Sequence, residues 1–498
     1  MDVRKLYLLV VFWISFVTFV RIIFTLHSGF ILPDEGMYLY LSNGKFVMGG
    51  RFVFQLFFIL LFKVFFFIHS VFGRFILFMI VNYLFLLGSV FLLKKILEKV
   101  VKNDYAIVAT IFLMMTTISW CVVIFTALTE PFAFFFFLLG LYFVVSDFNS
   151  YKSILTSGMC FGIASSTRIF YTLFFLNVIL IMIDKNLNIT ERLKRSVLFS
   201  FSVIFFVDVP YGLFSSLFSH TVERVGDFAS GASLTAHVLP HSLGLSIFDR
   251  LYISFVNSLI GFFVGWGVLL FFICIYSLRY WKGITSVEEK RVLINSIISI
   301  VGIWLLFFII AGHMANIKEY FSTTVRFTSM SLFGVVLIVK EFNKMTFKRV
   351  MVIVCTVFLS TVMLVSMTIV HLQSNLSVKD FNRLDVNYRS NAYKVYLYLS
   401  DKDKDDIVVF GDPICILRLY LDEKDIRCYT VDLLDKDFID TLLKNDKKVY
   451  LYGELYEFHL PLLEEYSRFA YDIVMGNSDY KTRVVWWTDE GYFIEVYK

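Results

Sequence analysis

Apolar runs of about 20 residues recur from the N-terminus to about residue 370. Nothing else in the chain restricts its folding so strongly. In hydrocarbon every backbone N–H and C=O must be satisfied within the protein, so only helices and closed barrels can span. The short alternating runs of a membrane barrel are absent from this sequence. The composition agrees: 58% of the 498 residues are hydrophobic and 17% charged, with 59 phenylalanines, whereas soluble domains carry about 25% charged residues. The net charge of +5 is modest and does not argue for a nucleic-acid partner.

Placing positive segments on the cytoplasmic side predicts eleven spans, at about 6–26, 73–94, 105–123, 130–146, 153–167, 170–184, 196–218, 251–278, 292–312, 321–340 and 349–370. The first run is longer than a signal-peptide core and no small-residue cleavage site follows it, so it reads as a retained anchor. The run 52–72, "FVFQLFFILLFKVFFFIHSVF", is excluded from the count. Lys63 sits in its middle, and a crossing there would invert every later basic cluster. It reads as an interfacial or re-entrant helix inside a long first outer loop, 27–72.

Composition changes near residue 371, which divides the chain into a membrane domain, 1–370, and a tail, 371–498. The tail holds 24 acidic and 17 basic residues. Its β-rich runs "DIVVFG", "IRCYTV", "KKVYLYG", "YDIVMG" and "RVVWWTDEGYFIEVYK" alternate with helical stretches such as "LLDKDFIDTLLKND" and "EFHLPLLEEYSRFA". That alternation predicts a small α/β domain, and an odd number of spans places it outside the cytoplasm. Cys415 and Cys428 both fall in the tail, at a spacing that does not demand a disulfide.

Candidate chemistry concentrates near the outer ends of the spans. Asp34 and Glu35 open the first outer loop in "FILPDEGMYLYL". They read either as the acidic first turn of a capped helix or as functional carboxylates. Tyr38 lies one turn after Asp34 if the segment is helical. Lys45 and Arg51 follow in the same loop. Glu130 precedes Pro131 at the start of a span, which suits a helix N-terminus as well as a group that holds an arginine or a sugar hydroxyl. Arg168 and Arg326 supply planar paired donors suited to phosphate, against the alternative of pairing with a carboxylate such as Glu130. His237, His241 and His313 do not form a metal motif: Pro240 breaks the helical spacing of the first two, and no carboxylate partner stands near. No cofactor is expected, with a divalent metal as the alternative.

The order of these features resembles the GT-C superfamily, which includes protein O-mannosyltransferases, aminoarabinose transferases and the mannosyltransferases of lipid-linked oligosaccharide and anchor synthesis. A first span is followed by an outer loop opening with Asp-Glu, then an interfacial helix and "FGRFILF". "TALTEPFAFFFFLLGLYFV" is similar to the superfamily's acidic motif before the fourth span. "SGMCFGIASSTRIFYTLFFLNVIL" is similar to its Gly-rich span ending in Ser/Thr-Arg. "STTVRFTSMSLFGVVLIV" is similar to its Arg-aromatic motif opening a late span. The resemblance covers about residues 1–345. It implies an α-helical polytopic fold of about eleven spans with an extracytoplasmic α/β tail. It also implies transfer, with inversion, of a sugar from a polyprenyl- or dolichyl-phosphate donor, at the plasma membrane or, in a eukaryote, the endoplasmic reticulum membrane. Asp34 would be the catalytic base, with Glu35 beside it; Arg168, Arg326, Glu130, Tyr38 and Lys45 would bind substrate. Leu32-Pro33 stands where the anchor and oligosaccharide mannosyltransferases carry His-Pro, so the sugar and acceptor stay open. Two other readings of the chain are a lipid or polysaccharide transporter and a non-catalytic assembly partner.

Overall fold

The computed structural model describes residues 3–29, 38–39, 41, 52–126, 129–148, 150–184, 187–207, 246–267, 269–270, 273–276, 286–309, 311, 325–326, 328–329, 332, 334–374, 391–411, 416–453, 467–488 and 491–498. The chain divides into two compact units. The membrane unit is 1–21, 45–60 and 79–381; the second unit is 22–44, 61–78 and 382–498.

In chain order the helices of the membrane half are α1 (Val3–Ser28), α2 (Phe52–Val64), α3 (Val71–Leu97), α4 (Asp104–Met115), α5 (Ile118–Phe125), α6 (Glu130–Asp147), α7 (Tyr151–Thr167), a 3-10 helix (Ile169–Asn177), α8 (Val178–Met182), α9 (Ile189–Val207), α10 (Ile247–Trp266), α11 (Val287–Ile309), α12 (Val335–Lys344) and α13 (Phe347–Ser374). Among the described residues α1, α3, α6, α10 and α11 are long and apolar enough to cross a membrane, and α4 with α5 forms a sixth, bent candidate. The 13 residues of α2 reach about 20 Å at 1.5 Å per residue, short of a bilayer core of about 30 Å.

Two expected spans take a different form. The stretch 105–123 is broken between α4 and α5, which meet at 68°. The cause is local. Thr116 and Thr117 return their hydroxyls to Leu113 O (3.0 Å) and Met114 O (2.8 Å), and Thr117 leaves helical geometry to cap α5. Adjacent hydroxyls compete with the backbone ladder in this way. The stretch 170–184 is a 3-10 helix over its first half, and only Val178–Met182 is α-helical.

Helices α6, α7 and α9 pack through small residues. A Cβ at Gly158 would meet Phe199 O and the Ser202 side chain, and one at Gly162 would meet Val203 O and the Phe206 side chain. Gly158 and Gly162 are four apart, so they form one flat stripe on α7 that admits α9 at close range. Bulky rings pack beside the stripe: Phe161 and Phe174 stack at 5.7 Å, and Phe137 lies 4.4 Å from Phe174.

The second unit carries α14 (Asn391–Ser400), β1 (Ile407–Gly411), α15 (Ile416–Glu423), β2 (Arg427–Thr430), α16 (Lys436–Lys444), β3 (Lys448–Gly453), α17 (Arg468–Val474), β4 (Lys481–Thr488) and β5 (Gly491–Tyr497). The sheet order is β2-β1-β3-β5-β4. β1 pairs in parallel with β2 (Val409 opposite Cys428) and β3 (Val409 opposite Tyr450); β5 is antiparallel to β3 and β4. Every residue of β1 is buried, as a parallel strand covered on both faces requires. Val408, Phe410, Val449, Leu451 and Ile494 form a core with Ile439 of α16 and Ile473 of α17. Tyr450 and Phe493 stack on the other face, 4.9 Å apart.

"YDIVMG", expected as a strand, is the helix α17. Ser467 caps it, accepting from Ala470 N at 3.2 Å, and Ala470, Ile473 and Val474 are its buried residues. Their spacing is the i, i+3, i+4 of a helix face, not alternation. The stretch "EFHLPLLEEY" lies outside the described residues. The unit also takes in parts of the first loop. Tyr420 donates to Gly29 O at 2.7 Å, Glu423 accepts from Val71 N at 3.2 Å, and Phe72 meets Tyr393 edge-on at 5.7 Å. Cys428 is a free thiol, which burial pushes up to about 12; Cys415 lies outside the described residues.

Candidate functional site: a carboxylate shared by two arginines

Three breaks in the membrane helices bring three charges together. Glu130 is the first residue of α6, with Pro131 behind it. Proline suits that position because its missing N–H has no partner in a first turn, and the helix dipole favours a carboxylate there. Arg168 ends α7 in an extended conformation, φ −141° and ψ 107°, with its N–H still bonded to Ala164 O. Arg326 lies in a helical turn, Val325–Arg326, pinned by buried hydroxyls. Ser119 of α5 donates to Val325 O at 2.8 Å and sits 2.6 Å from the Thr328 hydroxyl, while Trp266 of α10 donates its indole N–H to Thr328 O at 3.1 Å.

The result is one carboxylate oxygen facing two guanidiniums. Glu130 Oε1 lies 2.5 Å from Arg168 Nη2 and 3.2 Å from Arg326 Nε. The carboxylate is 1% exposed, and the two arginine side chains 12% and 11%. A buried carboxylate of this kind requires its cations, since an unpaired charge there costs several kcal/mol. Glu130 Oε2 is buried as well and has no hydrogen-bond partner among the described residues. Among the described residues the cluster thus sets two guanidiniums, whose planar donors suit phosphate oxygens, beside one buried carboxylate. Tyr171 lies fully buried in the first turn of the 3-10 helix, its ring stacked on Phe137 at 5.1 Å.

Of the residues expected at a site, the structure unites Glu130, Arg168 and Arg326. Tyr38 lies in the second unit, 1% exposed, with its ring stacked on Phe78 at 6.0 Å. Asp34, Glu35, Lys45 and Arg51 lie outside the described residues, as do His237, His241 and His313. Among the described residues no group of three or more His, Cys, Asp or Glu side chains comes together to hold a metal ion. One buried cation escaped the sequence reading: Arg21 of α1, 0% exposed, whose guanidinium lies 5.1 Å from the Phe125 ring. An arginine inside an apolar run was itself the signal, because such a charge is expensive unless it faces the bundle interior.

The fold that these helices and the C-terminal sheet make is shared with a solved structure. The chain is similar over its whole length to ArnT from Cupriavidus metallidurans bound to undecaprenyl phosphate: TM-score 0.58, 11% identity, 98% of this chain and 97% of that one covered. The apo state of the same protein gives 0.45 at 11% identity over 98% and 97%. An oligosaccharyltransferase from Archaeoglobus fulgidus, tethered with an acceptor peptide, gives 0.45 at 10% identity over 89% and 69%. No family profile and no curated protein matches the sequence.

Proposed function

We propose that the chain is an integral membrane glycosyltransferase. It takes a sugar from a polyprenyl-phosphate donor and transfers it with inversion to a hydroxyl on an acceptor. The observation that carries this reading is the shared carboxylate: two arginines and one glutamate, buried at helix breaks, with guanidinium donors of the kind that bind phosphate. The shared fold with a protein solved with undecaprenyl phosphate bound supports the lipid class of the donor.

In the reaction, Asp34 takes the proton of the acceptor hydroxyl as its oxygen bonds to the anomeric carbon. The bond from that carbon to the phosphate oxygen breaks with its electron pair. Polyprenyl phosphate leaves with one more negative charge, which Arg168 and Arg326 offset. Glu130 holds the two guanidiniums in place and offers Oε2 to a sugar hydroxyl. Glu35, Lys45 and Tyr38 assist in binding substrate. No covalent enzyme intermediate is needed. The site faces the outer side of the plasma membrane, and the tail from about residue 371 is extracytoplasmic.

The test uses the full chain in lipid with radiolabelled polyprenyl-phosphate sugars and a membrane extract as acceptor source. Asp34→Asn, which keeps size and removes the base, is expected to lower transfer at least about 10²-fold. Arg168→Ala is expected to lower it about 10²–10³-fold. Equal transfer by wild type and Asp34→Asn removes Asp34 as the base. Absence of transfer by wild type from every donor tried points to the transporter reading.

A further inference from the structure

Directly after Arg168 the chain runs as a 3-10 helix for nine residues, Ile169–Asn177. Such helices rarely exceed three or four residues, and longer stretches mark hinges or segments held by their surroundings. The burial pattern follows the 3-10 period. Tyr171, Phe174 and Asn177 are all fully buried, while Thr172 and Leu176 are exposed. At three residues per turn, Arg168, Tyr171, Phe174 and Asn177 lie on one line.

The two ends of that line are fastened differently. At one end Arg168 meets Glu130. At the other, Asn177 and Asn295 of α11 exchange a reciprocal pair of amide hydrogen bonds. Asn177 Nδ2 donates to Asn295 Oδ1 at 2.9 Å, and Asn295 Nδ2 donates to Asn177 Oδ1 at 3.0 Å. Each amide uses its other hydrogen on its own segment, Asn177 to Phe174 O (2.9 Å) and Asn295 to Arg291 O (2.8 Å). Both asparagines are 0% exposed, so the bonds are made where no water replaces them.

We propose that Asn177 and Asn295 are positioning residues for Arg168: their amide pair holds Ile169–Asn177 in the 3-10 form, and that form aims Arg168 at Glu130. If the same nine residues relaxed to an α-helix, the segment would shorten by about 4–5 Å, and Arg168 would turn about 180° relative to Asn177. The amide pair at one end thus sets the direction of a cation some nine residues away. The link to ligand binding rests on the reading of Arg168 as a phosphate-binding residue.

The experiment compares the full chain in nanodiscs with Asn177→Leu/Asn295→Leu. Replacing both partners with side chains of similar volume removes the directional bonds and leaves no orphaned amide, so the fold is expected to persist. Amide hydrogen exchange across 169–177 is expected to rise about tenfold, the signature of a local opening made easier. Affinity for polyprenyl phosphate, the probe ligand, is expected to fall about 5-fold in the Arg168 background and less than about 2-fold with Arg168→Ala, because the pair acts through Arg168. Unchanged exchange across 169–177 overturns the inference whatever Arg168 binds. An equal fall in affinity in both backgrounds overturns it too, since the pair would then act on the bundle as a whole. If Arg168→Ala alone binds the probe as wild type does, the phosphate reading falls, and the exchange measurement decides the inference by itself.

Discussion

Among the described residues of the membrane unit two buried ionic contacts are built differently. Glu289 of α11 meets Lys340 of α12 at 2.9 Å, with side chains 9% and 14% exposed. Glu130 meets two arginines at similar burial. In the first a carboxylate meets an ammonium and ties α11 to α12. In the second one carboxylate oxygen meets two guanidiniums, in a place where charge is expensive. Lysine and arginine divide accordingly: a point charge serves the structural tie, and the planar fork serves the site that presents donors in two directions.

The comparison predicts unequal responses to mutation. Glu130→Gln has the largest expected effect. It leaves two guanidiniums side by side without their carboxylate, and the loss is about 3–5 kcal/mol for a buried pair broken from one side. It is read as a fall in the thermal unfolding temperature in lipid, with transfer abolished. A stable, active Glu130→Gln would show that the cluster needs no carboxylate. Next comes Glu289→Leu/Lys340→Met, which replaces the tie between α11 and α12 by apolar side chains. Such replacements are often neutral or stabilising, so the unfolding temperature is expected to hold and sugar transfer to stay within about twofold of wild type. Loss of transfer there would erase the distinction between the two contacts.

The smallest effect is expected on the exposed sheet of the second unit, which marks the lower end of the scale. Tyr480 donates to Asp440 at 2.7 Å and Lys498 lies 3.0 Å from the same oxygen. The tyrosine hydrogen bond, then that of the lysine, holds the Asp440 carboxyl below its ordinary value. A lowered carboxyl contributes stability above its unfolded-state value and loses it as pH falls through the folded value. Tyr480→Phe is therefore expected to raise the Asp440 value toward the ordinary one, measured by carboxyl NMR. The acid limb of unfolding would move slightly to higher pH, and transfer at neutral pH would not change. An unmoved Asp440 would show that Lys498 suffices.

Much of this molecule was legible before the structure. Long apolar runs become helices because the bilayer leaves the backbone no alternative. The tail's strands "DIVVFG" and "KKVYLYG" became β1 and β3 because both are compact β-branched or aromatic runs bounded by turn residues. Glu130, Arg168 and Arg326 stood out because they sit in the motifs that carry the family resemblance and because arginine's planar donors suit phosphate. What misled was short-range pattern. "YDIVMG" has strand composition, but Ser467 and the spacing of Ala470, Ile473 and Val474 make it helical. The run 105–123 has uniform hydropathy, and two adjacent threonines bend it.

The sequence by itself determined a polytopic helical chain with an α/β tail, because hydropathy and period are local properties that each segment carries alone. It also determined which charges were worth attention, since the cost of a buried ion holds in any fold. Only the tertiary structure decided that Glu130, Arg168 and Arg326, distant in sequence, share one oxygen. It also decided that Asn177 meets Asn295 across two helices and that the nine residues Ile169–Asn177 take the 3-10 form. The physical reason is that a backbone choice worth under about 1 kcal/mol per residue is overruled by packing and buried hydrogen bonds that come from other parts of the chain.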